Sequence, residues 1–301
     1  MRDSNSCRLV ASEADGLPGF IVDRYDEVLV VQFLTLGMEK QRETLLSALS
    51  EITPAKGIFE RSDSGVRKLE GLPEKAGWIE KNCGDETVLR EKDIEIVLRF
   101  GEGHKTGWYL DQRDNRLFLR ENALKGDALD VFCYEGGFGL HLAKAGMNVL
   151  GIDSQKDSLE RAALHRKKNG IADEKLQFQA GNAFDVLKDL EKGGRKFDLV
   201  VLDPPSFAKQ KTALQPALSG YKELLLRGFK MLNESGRMAV FSCAYHLDDA
   251  LLMQISMSAA QDSRKSLRVL KFMKQAADHP IDPFIPETYY LKGFLFEVSS
   301  L

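Results

Sequence analysis

One stretch, residues 197–207 (Phe-Asp-Leu-Val-Val-Leu-Asp-Pro-Pro-Ser-Phe), constrains the fold more than any other part of the sequence. The consecutive apolar residues from Leu199 to Leu202 predict a strand that is buried on both faces, as strands of parallel sheets are. The strand ends at Asp203, and the two prolines that follow cannot donate hydrogen bonds to a sheet. Because ligands of open α/β sheets bind at the carboxyl ends of strands, Asp203 is a candidate functional residue. A buried strand with a proline stop and no chemistry is the competing interpretation.

The sequence around this stretch alternates strands and helices from residue 127 onward, which is typical of a parallel sheet with crossover helices. The predicted strands are 128–133, 147–153, 176–180, 199–203, 237–243, 267–272 and 289–298. The predicted helices are 140–145, 158–169, 221–232 and 248–260, with a turn at 233–236. We therefore assign residues 101–301 to an α/β domain.

Residues 1–100 predict a small α+β domain with mostly antiparallel strands. The strongest strand signal is Val28–Leu34, which is rich in β-branched and aromatic residues. Residues 39–50 predict one amphipathic helix with its leucines on the buried face. Further short strands are predicted at 8–10, 20–22, 57–60, 87–91 and 94–100. A chain of 301 residues has room for two domains of roughly 100–200 residues each.

The composition excludes several classes of protein. No apolar run approaches the roughly 20 residues that span a bilayer, and the N-terminus lacks the apolar segment of a signal peptide. The four cysteines, at positions 7, 83, 133 and 243, form no CxxC pair, so neither a zinc site nor a disulfide framework is indicated. We therefore expect a cytoplasmic protein with no membrane segment and no metal.

The net charge of −3 does not indicate a nucleic-acid binder, but basic side chains cluster in two places. The clusters are Arg161, His165, Arg166, Lys167 and Lys168, and Lys209, Lys211, Lys222, Arg227 and Lys230. They permit a polyanionic partner such as RNA. Ordinary solvated helix faces would have the same composition.

A glycine-rich turn, residues 134–139 (Tyr-Glu-Gly-Gly-Phe-Gly), follows the first strand of the α/β domain, and Asp153 ends the next strand 17 positions after Gly136. Such glycines let the backbone approach a nucleotide, and such an acid accepts two ribose hydroxyls. The glycines fit the G-x-G-x-x-G pattern of NAD enzymes poorly. S-adenosylmethionine has no pyrophosphate and takes a looser turn that begins with an acid, which Asp130 supplies. Together with Asn182 after the third strand and Asp203 after the fourth, the turn favours S-adenosylmethionine over NAD.

Cys243 lies at the carboxyl end of the fifth strand, beside the strand that ends at Asp203. Carbon 5 of a pyrimidine is a poor nucleophile, and a thiolate that adds at carbon 6 activates it for methylation. Asp203 would then hold the polar edge of the ring and stabilise the charge that develops there. A small buried cysteine with no chemistry is the alternative. Methylation of an exocyclic adenine nitrogen usually places an aromatic residue after the diproline, where this chain has Ser206.

Residues 101–116 contain three glycines and many polar and aromatic side chains ahead of a helix predicted near Gln112. Their density exceeds what a linker needs. A glycine-rich connection into a capped helix is the competing interpretation.

Together these motifs resemble the RlmI-like family, whose members are class I S-adenosylmethionine-dependent enzymes that make 5-methylcytosine in large-subunit ribosomal RNA. The residues that carry the resemblance are 103–113, 134–138, 203–207, 241–243 and 275–280, with 15–19 and 61–63 matching the middle domain of the family.

The resemblance implies a Rossmann-like catalytic domain with a seven-stranded, mostly parallel sheet behind the small α+β domain. It implies Cys243 as the nucleophile and Asp203 as the acid that orients the ring. It implies a cofactor site lined by Tyr109, Gln112, Arg113, Tyr134, Gly136, Asp153 and Asn182, and ribosomal RNA as the partner.

Three departures from the family pattern bear on this interpretation. Family members usually carry an N-terminal PUA domain, for which the residues before Arg8 are too few, so RNA docking is expected to use the middle domain, the basic clusters or a partner. Glu135 replaces a threonine, and we leave open whether its carboxylate points outward or weakens cofactor binding. Ser206 replaces a lysine and removes a positive charge near the target strand.

Several alternatives stay open at this point. The fold could serve an RNA-binding or assembly protein with a vestigial cofactor site, or a methyltransferase with another acceptor. His104 and His279 are candidates for the base that removes the carbon 5 proton, although we prefer structural roles for both. Whether the chain forms a homodimer is also left open.

Overall fold

The computed structural model describes residues 3–103, 105–206 and 214–301 of the chain. The chain divides into two compact units, Met1–Arg113 with Ala276–Tyr289, and Asp114–Gln275 with Tyr290–Leu301. These bounds differ from the sequence-based division at residues 100 and 101. Residues 276–289 and 101–113 belong to the first unit because the Asp278 carboxylate accepts hydrogen bonds from the Arg8 N–H, at 2.9 Å, and from the Arg113 guanidinium.

The first unit is built mainly from antiparallel strands. Its strands are β1 Ser6–Ala11, β2 Phe20–Tyr25, β3 Val28–Phe33, β4 Gly57–Ser62, β5 Lys75–Lys81, β6 Glu86–Glu91 and β7 Ile94–Arg99. Its helices are α1 Leu36–Lys40, α2 Arg42–Ile52 and α3 Val66–Leu69. Strands β1 to β5 form one sheet in chain order, in which only the β3–β4 pair is parallel, while β6 and β7 form a hairpin.

Two elements of this unit differ from the sequence-based prediction. The helix predicted at 39–50 is two helices that meet at Gln41, because Thr35 caps an earlier helix start through the Met38 N–H. Strand β5 was not predicted, since its burial is confined to the central residues and its sequence shows no apolar alternation.

The second unit alternates helices and strands as predicted. Its strands are β8 Asp127–Val131, β9 Asn148–Asp153, β10 Leu176–Ala180, β11 Phe197–Leu202, β12 Leu232–Ser242, β13 Lys265–Lys274 and β14 Lys292–Ser300. Its helices are α4 Arg113–Glu121 (which begins at the unit boundary), α5 Gly137–Lys144, α6 Lys156–Lys168, α7 Ala183–Lys192, α8 Leu214–Met231 and α9 Asp249–Asp262.

These strands form a seven-stranded sheet in the order β10-β9-β8-β11-β12-β14-β13. The first five run parallel to one another, and β14 runs antiparallel to both β12 and β13. The prediction of a mostly parallel seven-stranded sheet is therefore confirmed. The strand order reverses between β8 and β11, so their carboxyl ends form the edge at which open α/β sheets bind ligands.

The core of this unit lies between the sheet and its helices. Buried residues of the central strands, such as Leu129, Val200 and Val240, pack in one apolar cluster with Leu224 of α8 and Leu252 of α9. Near-continuous apolar strands of this kind are what two covered faces require. No helix of the described residues is long and apolar enough to cross a membrane.

The turn predicted at 233–236 is a bulge within β12. Phe197 of β11 pairs with Leu232, whereas Leu199 pairs with Arg237. Asp198, between the two pairs, accepts a 2.8 Å hydrogen bond from the Asn233 side chain. The extra residues are accommodated here without ending the strand.

Candidate active site

The glycine-rich turn between β8 and α5 brings the backbone round the carboxyl end of β8 in an unusual conformation. Phe132, Tyr134 and Gly136 have φ angles of 65°, 50° and 84°. A Cβ atom on Gly136 would lie 3.2 Å from Cζ of Phe178 and 3.4 Å from Cβ of Ala162. Glycine is needed at position 136 both for its positive φ and for this close approach.

Asp153, at the carboxyl end of β9, holds the turn in place. Its Oδ2 accepts a 2.9 Å hydrogen bond from the Tyr134 N–H, and its Oδ1 accepts one of 2.9 Å from the Gln155 N–H. Each carboxylate oxygen has a further lone pair. The carboxylate therefore remains able to accept hydrogen bonds from a pair of ribose hydroxyls.

Asp130 is 1% exposed, and its Oδ2 accepts a 2.9 Å hydrogen bond from the Gly139 N–H in the first turn of α5. Its Oδ1 has no hydrogen-bond partner among the described residues. Burial, together with the charges of Asp203 and Asp153, raises the pKa of Asp130 to about 7, against the lowering effect of the Gly139 hydrogen bond. The three carboxylates therefore converge at adjacent strand ends.

Asn182 follows β10 at the same edge of the sheet and is exposed. Its Oδ1 accepts a 2.9 Å hydrogen bond from the Phe184 N–H and so caps helix α7. The side chain thus has a structural role that accounts for an asparagine at this position.

Asp203 and Cys243 follow two neighbouring parallel strands. The Asp203 N–H donates to the Val131 carbonyl at 3.4 Å, which continues the β8–β11 pairing, and the Asp203 side chain is half-buried. Leu202 pairs with Val240, so β12 extends just beyond β11 before it ends at Ser242. Cys243 comes next and is exposed.

Tyr221 of α8 shows that these two side chains share one environment. Burial raises the pKa of Tyr221, the nearby Ser242 side chain opposes the rise, and the charges of Cys243 and Asp203 add to it. The structure thus places the predicted nucleophile and the predicted acid just beyond the ends of two paired strands, near one buried hydroxyl.

The other predicted cofactor residues, Tyr109, Gln112 and Arg113, belong to the first unit. Nζ of Lys105 lies 4.5 Å from the centre of the Tyr109 ring, and Gln112 is buried. Arg113 donates to both carboxylate oxygens of Asp278, at 2.9 and 3.0 Å. The assignment of these three residues to the cofactor site stays a prediction from the family resemblance.

Asp278 is also bonded to His279, whose Nδ1 lies 3.1 Å from Oδ1 of Asp278. Burial raises the pKa of Asp278, but the hydrogen bonds and charges of His279 and Arg113 outweigh it and leave the pKa well below its ordinary value. His279 is buried in this network, which supports the structural role that we preferred for it. His104 lies outside the described residues.

Glu135 is 5% exposed and forms an ion pair with Arg161 of α6, with 2.6 Å between Oε1 and Nε. His165 Nδ1 lies 3.3 Å from the Glu135 carbonyl oxygen. The carboxylate that departs from the family pattern is therefore neutralised within the fold. Arg161, which sequence analysis assigned only to a basic cluster, is the partner that makes Glu135 compatible with the turn.

The basic clusters are largely occupied by contacts within the protein. Arg161 bonds Glu135, Arg166 bonds Asp173 at 2.8 Å, and His165 is buried. In the second cluster, Lys222 pairs with Asp262, Arg227 with Glu191 and Glu223, and Lys230 with Glu191. Lys209 and Lys211 lie outside the described residues. The paired residues offer a polyanion less free charge than the sequence suggested.

Sequence analysis missed two residues beside Cys243, namely Tyr221 and Lys292. Lys292 is buried at the start of β14, next to Gly293, Phe294 and Leu295. A lysine at the head of a buried apolar strand is unusual, and that signal could have identified it. No group of His, Cys, Asp and Glu side chains in the described ranges is arranged to hold a metal ion.

Known proteins resemble this chain in both sequence and structure. A family model described as a methyltransferase domain matches residues 125–281. The ribosomal RNA large subunit methyltransferase I of Tolumonas auensis is 42% identical over 96% of this chain and 73% of that protein. The protein of the same name from Photobacterium profundum is 39% identical over 95% of this chain and 73% of that protein.

Among solved structures, the crystal structure of a candidate methyltransferase complexed with SAH is similar to this chain, with a TM-score of 0.84 and 20% sequence identity. The match covers 98% of this chain and 75% of the chain in that structure. That similarity establishes the fold, which is the predicted Rossmann-like methyltransferase fold. On the identity and coverage of the two bacterial relatives, the chain belongs to the ribosomal RNA large subunit methyltransferase I family.

Proposed function

We propose that this protein is an S-adenosylmethionine-dependent methyltransferase that forms 5-methylcytosine in large-subunit ribosomal RNA. The observation that carries the cytosine-C5 reaction is the exposed Cys243 directly after β12, beside the end of the paired strand β11 that Asp203 follows. The name of the relatives supports ribosomal RNA as the acceptor. The cytoplasm, where ribosomes are, is part of the same proposal.

The strand ends fit the cofactor. The turn at Gly136 leaves no room for a side chain, and Asp153 retains lone pairs for ribose hydroxyls. The structure with the same fold was crystallised with SAH, the product form of the cofactor. We propose that the binding residues in the second unit are Asp130, Tyr134, Gly136, Asp153, Asn182 and Asp203. When bound, the cofactor supplies an electrophilic methyl group.

The residues of the chain carry out the remaining chemistry. The Cys243 thiolate forms a bond to carbon 6 of the cytosine, which moves the electron pair of the double bond to carbon 5. After carbon 5 is methylated, a base removes its proton, the bond between sulfur and carbon 6 breaks, and the double bond is restored. Asp203 holds the polar edge of the ring and stabilises the charge that develops there.

Two alternatives from the sequence are weaker on this structure. A vestigial site was suggested by Glu135, whose carboxylate is paired with Arg161. An acceptor other than RNA leaves the exposed Cys243 without a role. We therefore do not favour either.

A trapping experiment tests the proposal. The protein is incubated with labelled S-adenosylmethionine and a large-subunit ribosomal RNA transcript that contains 5-fluorocytosine, and the products are separated on a denaturing gel. Fluorine at carbon 5 cannot leave as a proton does, so the bond between Cys243 and carbon 6 persists. We expect a covalent adduct with the wild-type protein and none with Cys243→Ala.

Two controls make the outcome specific. The same transcript with ordinary cytosine gives no stable adduct, and calorimetry shows whether each protein binds S-adenosylmethionine. No wild-type adduct despite cofactor binding would contradict the cytosine-C5 reaction and leave a methyltransferase with another target atom.

A further inference from the structure

Lys292 lies beside the end of the strand that carries Cys243. It is the first residue of β14 and pairs across the antiparallel ladder with Ser242, the residue before Cys243. Side chains of directly opposed residues lie on the same face of a sheet, about 5 Å apart at Cβ. Lys292 is only 6% exposed, which is rare for a lysine.

The position of Lys292 is fixed by close packing of its neighbours. A Cβ atom on Gly293 would lie 2.6 Å from Cδ1 of Phe241 and 2.8 Å from the Val240 carbonyl oxygen. Only glycine at position 293 therefore allows β14 to lie this close to β12. On the other side, the Leu291 N–H donates to Oε1 of Gln275 at 3.4 Å. The backbone of Lys292 is thus held against the end of β12.

Acidic groups surround Lys292. Burial lowers the pKa of Lys292 below its ordinary value, and the charges of Asp249, Asp248 and Cys243 only partly oppose that effect. Asp248 caps α9 by accepting from the Leu251 N–H at 2.8 Å, so its carboxylate is held near the start of that helix. A buried ammonium group requires anions nearby, which Asp248 and Asp249 supply, and the Cys243 sulfur is a third group close enough to affect it.

The other titratable groups on neighbouring elements do not supply a buried cation beside Cys243. Tyr221 of α8 is buried with a raised pKa and stays neutral near pH 7, with Asp203 acting on it from the end of β11. Lys274 of β13 is opposite Lys292 in the ladder but is exposed. His246, in the segment between Cys243 and α9, is half-buried and stacks edge-on against Tyr245 at 5.0 Å.

We propose that Lys292 is a positioning residue that stabilises the thiolate of Cys243 and so keeps the nucleophile in its reactive form. The proposal rests on the proposed role of Cys243 as nucleophile. A thiolate rather than a thiol attacks carbon, and a neighbouring ammonium group favours the thiolate. Lys292 acts through Cys243 and needs no contact with the RNA.

The test measures how fast iodoacetamide alkylates Cys243 at a series of pH values, with the modified peptide quantified by mass spectrometry. The proteins are wild type, Lys292→Met, Lys292→Arg and the matched control Lys274→Met. In Lys292→Met we expect the midpoint of the rate profile to rise by about one pH unit, which is roughly a tenfold slower reaction at pH 7. Lys292→Arg restores the midpoint, and Lys274→Met leaves it unchanged.

An unchanged midpoint in Lys292→Met, in protein that still binds S-adenosylmethionine, would overturn the proposal. A reciprocal measurement needs no variant at position 292. Because linkage is mutual, Cys243→Ala should lower the pKa of Lys292, followed through the ¹³C signal of its labelled side chain. An identical Lys292 titration in wild type and Cys243→Ala would also overturn it.

Alkylation uses no RNA, so its result is separate from that of the trapping experiment. If Cys243→Ala keeps full methyl transfer, the proposed function fails even where the alkylation midpoint shifts as expected. If the adduct forms but the midpoint does not move, the nucleophile stands and the role of Lys292 fails.

Discussion

The two halves of the sheet edge use their polar side chains differently. In the cofactor half, formed by the ends of β8, β9 and β10, Asp130, Asp153 and Asn182 each accept hydrogen bonds from backbone N–H groups. The acceptor half is formed by the ends of β11 and β12 and the start of β14. There the charges of Asp203 and Cys243 raise the pKa of Tyr221, and the charge of Cys243 raises that of Lys292 against the effect of burial. The polar side chains of the first half fix the conformation of loops, whereas those of the second half influence one another's ionisation.

This difference predicts that the two halves fail in different ways. A change in the cofactor half alters loop geometry and therefore cofactor affinity or stability. A change in the acceptor half alters the reacting groups and leaves the loops in place. A variant in the cofactor half that changes only the reacting groups, or one in the acceptor half that changes the loops, would contradict this distinction.

The largest expected effect is in the pair Cys243→Ala and Asp153→Ala. Loss of the nucleophile should reduce kcat by more than about 10³-fold with unchanged S-adenosylmethionine affinity, because the thiol is not among the groups that we propose bind the cofactor. Loss of Asp153 removes the acceptor for the Tyr134 and Gln155 N–H groups. A hydrogen bond to a charged group contributes about 1.5–3 kcal/mol, so loss of the equivalent of one such bond to the cofactor should lower the affinity by about 10–150-fold.

Methyl transfer at saturating cofactor and calorimetry separate the two effects. Asp153→Ala should recover most of its kcat once the cofactor saturates it. A weakened cofactor affinity in Cys243→Ala, or a kcat in Asp153→Ala that saturation does not restore, would show that the halves are not separable.

Features that depend on neighbouring residues were predicted from the sequence, whereas contacts between residues far apart in the chain were missed. The apolar run before Asp203 and the glycines at 134–139 carry their structural consequences locally, so the sheet edge and its candidate residues were predicted. The partners of Glu135 and Asp278 are Arg161 and Arg113, 26 and 165 positions away. Nothing local marks such pairs.

The same reason accounts for Lys292, which meets Ser242 only through the ladder between β14 and β12. Its position depends on the order of strands in the sheet, and periodicity in the sequence does not specify that order. The bulge at 233–236 was predicted as a turn because its residues favour turns, while pairing with β11 on both sides keeps it inside a strand.

A second prediction concerns the pH dependence of stability in the cofactor half. Burial, with the charges of Asp203 and Asp153, raises the pKa of Asp130 to about 7. Between about pH 4 and pH 7 the unfolded chain has lost this proton while the folded protein keeps it, so the free energy of unfolding falls as pH rises. In Asp130→Asn that loss is absent, and relative to wild type the variant should gain about 2–4 kcal/mol between pH 4 and pH 8.

Urea unfolding of the cofactor-free proteins at several pH values measures this gain. The side-chain amide introduced by Asp130→Asn still offers an oxygen to the Gly139 N–H, and any cost of burying its NH₂ group is the same at every pH. Only the pH-dependent part of the difference is therefore diagnostic. A difference that stays constant from pH 4 to pH 8 would mean that Asp130 is ionised in the folded protein.

The smallest expected effect is at Glu135, which lies in the cofactor half but is paired with Arg161. Glu135→Gln keeps the shape of the side chain and a hydrogen bond to Arg161, whose guanidinium is partly exposed. We expect less than about 1 kcal/mol of lost stability and less than about a threefold change in S-adenosylmethionine affinity. Calorimetry and thermal unfolding measure both.

Arg161→Met is the matched control, because it leaves the Glu135 carboxylate buried without its cation. It should cost more stability than Glu135→Gln, since it leaves a buried carboxylate unpaired, whereas Glu135→Gln leaves only the partly exposed Arg161 guanidinium without its anion. If Glu135→Gln instead tightened cofactor binding by tenfold, the carboxylate would be acting on the bound cofactor. The cofactor half would then hold charge as well as shape, and the distinction between the two halves would fail at this residue.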